Sequence, residues 1–445
     1  MDRRGKGTEL EVREALTLQP ARQMLKNVGT NSPTFPGGAM KLIRSTLVPV
    51  IVSAMACSQA TDSIAPITAL PRPLSVAENK VITASNDFAF DLFRTGNQYQ
   101  HKANVFISPL SASMALGMTV SGTSGTTYDE MIAALRLTGA TRDEVGEGYK
   151  NLISLLTGLD PRTVFTIANS IWYEQTFPFN TSFLDNSRKY FDAEVTGLDF
   201  TSASSIQTIN SWVKAKTNDK IDGIIDHIDP NERMFLINAI YFKGIWQKQF
   251  EKSKTTDAPF HNADGTTSTV PMMAREEGAN AVVNPDYAAV DLPYGNSAYT
   301  MTVIMPNGDI DAFAESFDQA KWKDLISSLH DSEMAVNLPR FRIEWERQLN
   351  DDLQQLGMRL AFTPDHADFT PMSPLGQHLY ITKVLQKTYV DVDEQGTEAA
   401  AVTSVGVGVT SMPPTFRADR PFMVVIRERF SGTILFIGKI AKLPA

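Results

Sequence analysis

The stretch Asp393–Met412, DEQGTEAAAVTSVGVGVTSM, decides how the rest of the chain is read. No charged residue occurs from Ala399 to Phe416, and no proline before Pro413. The run is too rich in glycine for a stable helix and too apolar for an ordinary solvent loop. A strand sends alternate side chains to opposite faces. One set is then Thr397, Ala399, Ala401, Thr403, Val405, Val407 and Val409; the other is Glu398, Ala400, Val402, Ser404, Gly406 and Gly408. The first set is uncharged, small at its start and more apolar later. The second carries Glu398 as its charge and can keep it in water. The pattern is that of a half-buried strand.

Outward from this run, the chain of 445 residues is 42% hydrophobic and 20% charged, which predicts a sizeable core. A net charge of −9 argues against a general nucleic-acid binder, which would carry a basic stripe. Six scattered histidines and one cysteine leave little material for a metal site, and no HExxH, CxxC or phosphate-loop motif occurs. No cofactor is expected. Neither SGTSGTTYDE, a glycine-rich helix–helix turn, nor Asp226, His227 and Asp229 in IIDHIDP, a surface turn, makes a convincing reaction centre. The serine-elbow motif of hydrolases is absent as well. An enzyme is not expected.

MKLIRSTLVPVIVSAMACSQ, from Met40, has basic residues, a short apolar run and Ala54-Met55-Ala56. That is the layout of an export signal of the bacterial kind, cut before Cys57. Pro49 and the shortness of the run argue against a membrane span, which needs about 20 apolar residues. A cysteine just past the cut also fits a lipoprotein box, which makes Cys57 a candidate for lipidation and membrane anchoring. The expected organisation is an over-extended gene start at 1–39, the export signal at 40–56, a Ser/Thr/Ala/Pro-rich tether at 57–79 and one domain at 80–445. The product is expected outside the cell or in the cell envelope.

Within that domain ASNDFAFDLFRTGNQ puts Phe88, Phe90, Leu92 and Phe93 on one helical face. SASMALGMTVSG, TTYDEMIAALRL and SIQTINSWVKAKTNDKI also predict helices, the second with Met131, Ile132, Leu135 and Leu137 inward. Strands are expected at TVFTIANSIWY, RMFLINAIYFKG, YAAVDLPYG, YTMTVIMPN, MAVNLPRFRIEW, KTYVDVDE, PFMVVIRE and TILFIGKI. Helices dominate early and strands late, without βαβ alternation. The fold class is therefore α+β, with large and mainly antiparallel sheets.

Four segments resemble the serpins, the serine protease inhibitor family. NVFISPLSASMAL carries Asn104, Ser108, Pro109 and Ser111. FLINAIYFKGIWQKQF carries Asn238 and Trp246, VDEQGTEAAAVT is similar to the hinge of the family's inhibitory loop, and FRADRPFMVVIRERFSGTILFIGKI to its C-terminal signature. INSWVKAKTNDKI, YFDAEV and LPYG are smaller echoes, and the likeness covers about residues 80–443.

The resemblance implies a single serpin domain with an exposed reactive-centre loop near its C-terminus. A protease cuts the loop, which then inserts as a central strand of the main sheet while the protease is held as an acyl-enzyme. It implies a hinge at Glu394, Gly396, Thr397, Glu398, Ala399, Ala400 and Ala401, free of the bulky, charged or proline residues common in non-inhibitory relatives. The family's common loop length places the cut bond at Thr410-Ser411, with Val407, Val409 and Met412 shaping specificity. Thr and Val suit the shallow primary pocket of elastase-like enzymes; chymotrypsin-like and subtilisin-like enzymes are also expected targets. Ser108, Pro109, Ser111, Asn238 and Gln386 match the region where the sheet strands part; Gln386 stands where many members have histidine. Trp246 and Arg340 match positions at the top of that opening, Arg340 as an ion-pair partner for Glu394. A monomer whose partners are serine proteases is implied; the mixed charge of GATRDEVGEGYKNLISLLTG, which is not strongly basic, predicts no heparin-like activator. A non-inhibitory serpin cleaved as a substrate, or an inhibitor of cysteine proteases, are the alternatives.

Overall fold

Ser75 opens the first helix, Val76–Tyr99, with a reciprocal cap: its hydroxyl accepts from the Glu78 amide at 3.1 Å and its own amide donates to the Glu78 carboxylate at 2.7 Å. The computed structural model describes residues 65–397 and 414–444, all within one compact unit. Phe88, Phe90, Leu92 and Phe93 are all buried, so the first helix drives its apolar face into the core. Helices Pro109–Val120, Gly125–Ala134 and Arg142–Leu156 follow. The first of these is capped by the Ser108 side chain with Pro109 in its first turn, and the third by a Thr141–Glu144 box. Met131, Ile132, Leu135 and Leu137 are buried as expected, although the helix stops at Ala134. The later helix Ala203–Lys216 ends before Asn218 and Asp219, which both take left-handed backbone.

Three sheets carry the strands. The largest has seven, in the order Val105–Ile107, Ile434–Ile440, Phe422–Glu428, Tyr299–Pro306, Tyr287–Pro293, Ala279–Val283 and His330–Ser332. A four-stranded sheet runs Thr415–Arg417, Ala335–Pro339, Thr267–Arg275, Thr256–His261. The six-stranded sheet runs Phe341–Gln348, Leu385–Val392, Gly396–Thr397, Met234–Ile245, Val164–Glu174, Glu194–Leu198. Pairing is antiparallel throughout except at two places, Val164–Glu174 with Glu194–Leu198 and Ala335–Pro339 with Thr415–Arg417. The architecture is the expected α+β.

Two expectations are corrected. MAVNLPRFRIEW is not one strand: it breaks at Arg340, whose amide donates to the Pro271 carbonyl at 2.8 Å, and its halves join different sheets. The stretch read as tether, 57–79, is not free up to residue 79. The helix begins at Val76, Ile67, Leu70 and Leu74 pack on the core, and Ile67 donates its amide to the Asn296 carbonyl at 2.8 Å. Residues 1–64, with the gene-start and export-signal readings and Cys57, lie outside the described residues. Among those described, no helix is long and apolar enough to cross a membrane.

Candidate functional site: the hinge and the gap in the six-stranded sheet

The chain leaves strand Leu385–Val392, turns through Asp393–Gln395, and returns as Gly396–Thr397 between that strand and Met234–Ile245. The Asp393 carboxylate closes the turn by accepting the amides of Gln395 (2.8 Å) and Gly396 (3.2 Å). The far wall holds the turn from outside. Trp246 donates its backbone amide to the Gln395 carbonyl (2.7 Å) and its indole N–H to the Asp393 carbonyl (2.9 Å), and Phe250 donates to the Glu394 carbonyl (2.8 Å). Thr397 then pairs with Val392 on one side and Gly244 on the other. Two residues of the loop segment are thus already seated as the start of a strand.

Glycine at 396 is required by space as well as by backbone. Its φ is +155°, and a Cβ there would lie 2.0 Å from the Gly244 carbonyl oxygen. Beneath Thr397 lies Tyr294, fully buried, whose hydroxyl is 2.8 Å from Thr397 Oγ1. The Tyr294 ring stacks on Trp246 with centroids 4.4 Å apart and meets Phe242 edge-on at 5.0 Å. A Cβ at Gly244 would strike that ring at 2.6 Å. Burial drives the Tyr294 phenol far above its ordinary range, so it stays a neutral hydrogen-bonding group.

Glu394 is 1% exposed and faces Arg340 and Thr255. Its Oε1 accepts from Arg340 Nε at 2.7 Å, from a second guanidinium nitrogen, and from the Thr255 hydroxyl at 2.5 Å. Burial pushes the carboxyl up, but these donors outweigh it and its pKa is lowered. Asp393 goes the other way: burial raises it more than the Gln395 and Gly396 amides lower it. Arg340 reaches Glu394 because it stands at the break between two sheets.

Farther along the same gap, Gln386 and Ser108 make a reciprocal pair. Gln386 Nε2 donates to the Ser108 carbonyl at 2.7 Å, and the Ser108 amide donates to Gln386 Oε1 at 3.2 Å. The Ser108 hydroxyl donates to the Leu435 carbonyl at 2.8 Å. Pro109 is buried in the first turn of its helix. Ser111 Oγ lies 3.4 Å from the Asn238 carbonyl. Asn238 donates its amide to Asn169 Oδ1 at 2.6 Å, while its own Oδ1 is buried without a hydrogen-bond partner. Glutamine, with a donor and an acceptor, closes a two-bond ring with one backbone unit that a single imidazole nitrogen cannot.

Structure therefore brings together Glu394, Gly396, Thr397, Trp246 and Arg340 at one end of the gap, and Ser108, Ser111, Asn238 and Gln386 along it. Tyr294, Gly244, Thr255 and Asn169 join them; Tyr294 had a signal in the LPYG echo and Gly244 in the aromatic-Lys-Gly run of FLINAIYFKGIWQKQF, whereas Thr255 and Asn169 had none. Glu398, Ala399, Ala400, Ala401, Val407, Val409, Thr410, Ser411 and Met412 lie outside the described residues. His227 and Asp229 form an exposed surface pair at 3.5 Å, in keeping with a turn.

A family model described as Serpin (serine protease inhibitor) matches residues 83–443. Human Serpin B11 is 33% identical over 387 residues, covering 81% of this chain and 98% of its own length. Human leukocyte elastase inhibitor is 32% identical over 376 residues, with the same coverage of 81% and 98%. Among solved structures, the native state of the thermophilic serpin tengpin superposes with a TM-score of 0.76 at 32% identity, over 85% of this chain and 97% of tengpin. With the family model spanning most of the chain and relatives matched along almost their whole length, this protein belongs to the serpins, the serine protease inhibitor family.

Proposed function

We propose that the chain is a single-use inhibitor of serine endopeptidases that traps its target as an acyl-enzyme by inserting its cleaved loop into the six-stranded sheet. The observation that carries this is the seating of Gly396 and Thr397 between two strands that the described residues do not otherwise join. Extending that antiparallel register steps each neighbour back as the loop advances. Ala399 would stand between Phe242 and Val390, Ala401 between Ile240 and Thr388, Thr403 between Asn238 and Gln386, and Val405 beside Leu236. Phe242, Val390, Thr388 and Gln386 are buried, and Ile240 and Leu236 pack on the main core. Alanines beside the buried Phe242, Val390 and Thr388 would avoid the overpacking penalty of about 1–3 kcal/mol. Glu398 would fall on the opposite face, level with Lys243 and Asp391, where a charge can stay hydrated.

The chemistry belongs to the protease. Its hydroxyl oxygen attacks the Thr410 carbonyl carbon, the hydroxyl proton passes by way of the protease's base to the Ser411 nitrogen, and the bond to that nitrogen breaks so that Ser411 leaves as a free amine. The ester to Thr410 then holds the enzyme while the loop inserts. A trap of this kind works from a state held by a barrier, so its stability is kinetic. Small β-branched residues at 409 and 410 favour elastase-like, chymotrypsin-like or subtilisin-like targets. The stretch 40–57 supports export, with Cys57 as an anchor point.

The full chain is mixed with an elastase, a chymotrypsin, a trypsin and a subtilisin, run on denaturing gels, and the released C-terminal peptide weighed. A complex surviving denaturation, with a peptide beginning at Ser411, is the expected result. Cleavage with no complex would place the chain among serpins that are substrates. Thr397→Arg, which buries a cation in the seated hinge, is expected to be cleaved without any complex.

A further inference from the structure

At the end farthest from the hinge, the gap between Met234–Ile245 and Leu385–Val392 opens into a cavity of about 400 Å³. Leu116, Phe179, Leu236, Met372, Leu379 and Leu385 give it apolar walls. At its lip stand Leu375 and Tyr380, two of the few large apolar side chains exposed among the described residues, at 46% and 36%. An apolar hollow with an apolar lip is the usual form of a small-molecule site.

A second pocket, of about 370 Å³, shares the wall Glu232, Thr382, Lys383 and Leu385 and adds Asp226, His227, Asp229 and Glu346. Four carboxylates line the two hollows. Lys383 stands 3.3 Å from Glu232 and 3.7 Å from Asp229, and Glu346 is held by Lys387 at 3.1 Å. Arg233 lies against the Phe177 ring and donates to the Pro230 and Glu232 carbonyls. The four carboxylates thus face Lys383, Lys387 and Arg233, with His227 3.5 Å from Asp229 and His378 on the wall of the first hollow. Glu232, on the shared wall, is 3% exposed. Its Oε2 accepts from the Thr382 hydroxyl at 2.8 Å, while its Oε1 accepts no hydrogen bond and has only the Lys383 ammonium nearby. A buried carboxylate oxygen that accepts no hydrogen bond and meets Lys383 only as an ion pair at 3.3 Å, at the junction of an apolar hollow and a carboxylate-lined one, can accept a further charged donor.

We propose that the cavity binds a small amphipathic cation, an aryl or alkyl amine whose body fills the apolar hollow and whose ammonium donates to Glu232 Oε1. We also propose that occupancy diverts the chain from trap to substrate. Leu236 and Leu385 wall the cavity, and the hinge register carries Ser404 and Val405 past them, so ligand and loop compete for the same space. This second half rests on the insertion reading; the first half does not.

Calorimetry on the intact full chain uses three probes with one body: 4-phenylbutylamine, 4-phenylbutanol and 4-phenylbutyrate. The amine is expected to bind at least about tenfold tighter than the carboxylate, with the alcohol between them. No binding, or equal binding of all three, overturns the site. Ala115→Trp, which fills the hollow, is expected to abolish binding of every probe. Glu232→Gln is expected to erase the preference for the amine while the alcohol still binds, which also reports that the variant is folded; a preference that survives in it overturns the assignment of the head group. Should Glu232→Gln not fold, the loop-cleaved chain gives the second reading: loss of amine binding on cleavage supports the proposal, and undiminished binding overturns the competition. With an elastase, saturating amine is expected to raise severalfold the inhibitor consumed per enzyme trapped, and an unchanged ratio overturns the coupling. A chain that traps no protease even without amine refutes the insertion reading, while the calorimetry still decides the site.

Discussion

The Tyr294 hydroxyl meets Thr397 Oγ1 at 2.8 Å, 103 residues apart in sequence and both out of water. This bond ties the second of the two seated residues to the aromatic floor on Trp246. A buried neutral hydrogen bond contributes about 0.5–1.5 kcal/mol net, and leaving one partner alone costs about 1–3 kcal/mol. Tyr294→Phe and Thr397→Val are each expected to lower the denaturant midpoint of the intact chain. The double variant should lose clearly less than the two single losses added, giving a coupling of about 1 kcal/mol in a double-mutant cycle. Strict additivity would mean that the two side chains do not act as a pair.

Gly396→Ala addresses the close approach directly. Its Cβ would lie 2.0 Å from the Gly244 carbonyl oxygen and 2.8 Å from Ile245 Cα, both backbone atoms that cannot swing aside. The variant is expected to expel residues 396 and 397 from the sheet. The amides of Trp246 and Phe250, which donate to the Gln395 and Glu394 carbonyls, then lose their acceptors. Hydrogen exchange at these two amides should quicken about tenfold to a hundredfold, the equivalent of overpacking by about 1–3 kcal/mol. Unchanged protection would show that the turn tolerates a side chain.

Acid should loosen the hinge through Glu394. Its pKa in the fold lies below the ordinary 4.5, so it contributes stability at neutral pH that is lost as pH falls through that lowered value. Asp393 has the opposite sign: its raised pKa means a contribution present below the ordinary 3.8 and lost as pH rises through the raised value. Glu394→Gln is therefore expected to lower the unfolding midpoint at pH 7 and to flatten its acid limb. Arg340→Ala, which removes the strongest donor to Glu394, should move that limb to higher pH. An acid limb in Glu394→Gln identical to that of the parent chain would assign it to other carboxylates.

Local pattern carried a good part of this architecture. Phe88, Phe90, Leu92 and Phe93 are legible as helical and apolar, and the helix they lie on is buried around most of its circumference there. What local pattern does not carry is pairing at a distance. Nothing near LPYG says that its tyrosine will lie under Thr397, since the contact exists only once two segments 103 residues apart pack together. MAVNLPRFRIEW looks continuous because both halves alternate correctly; at the break the Arg340 amide donates to the carbonyl of Pro271, in a strand that this proline itself conceals. The segment before Val76 has the composition of a linker, yet Ile67, Leu70 and Leu74 find a surface that composition cannot reveal.

Asn238 offers the most direct test of the extended register. Its amide is committed to Asn169, and its Oδ1 is buried without a donor. Continuing the pairing of Thr397 with Val392 and Gly244 brings Thr403 level with both Asn238 and Gln386. On the proposed insertion, a threonine hydroxyl arriving there would supply the missing donor and relieve the orphan acceptor of the uncut state. Thr403→Val keeps the shape and removes the hydroxyl. It should leave the unfolding midpoint of the intact chain unchanged within about 0.5 kcal/mol and lower that of the cleaved chain by about 1 kcal/mol. Equal midpoints in the cleaved forms of parent and variant would mean that Thr403 does not reach Asn238 and that the register slips beyond Thr397. A loss in the intact chain instead would mean that the hydroxyl is already engaged before any bond is cut.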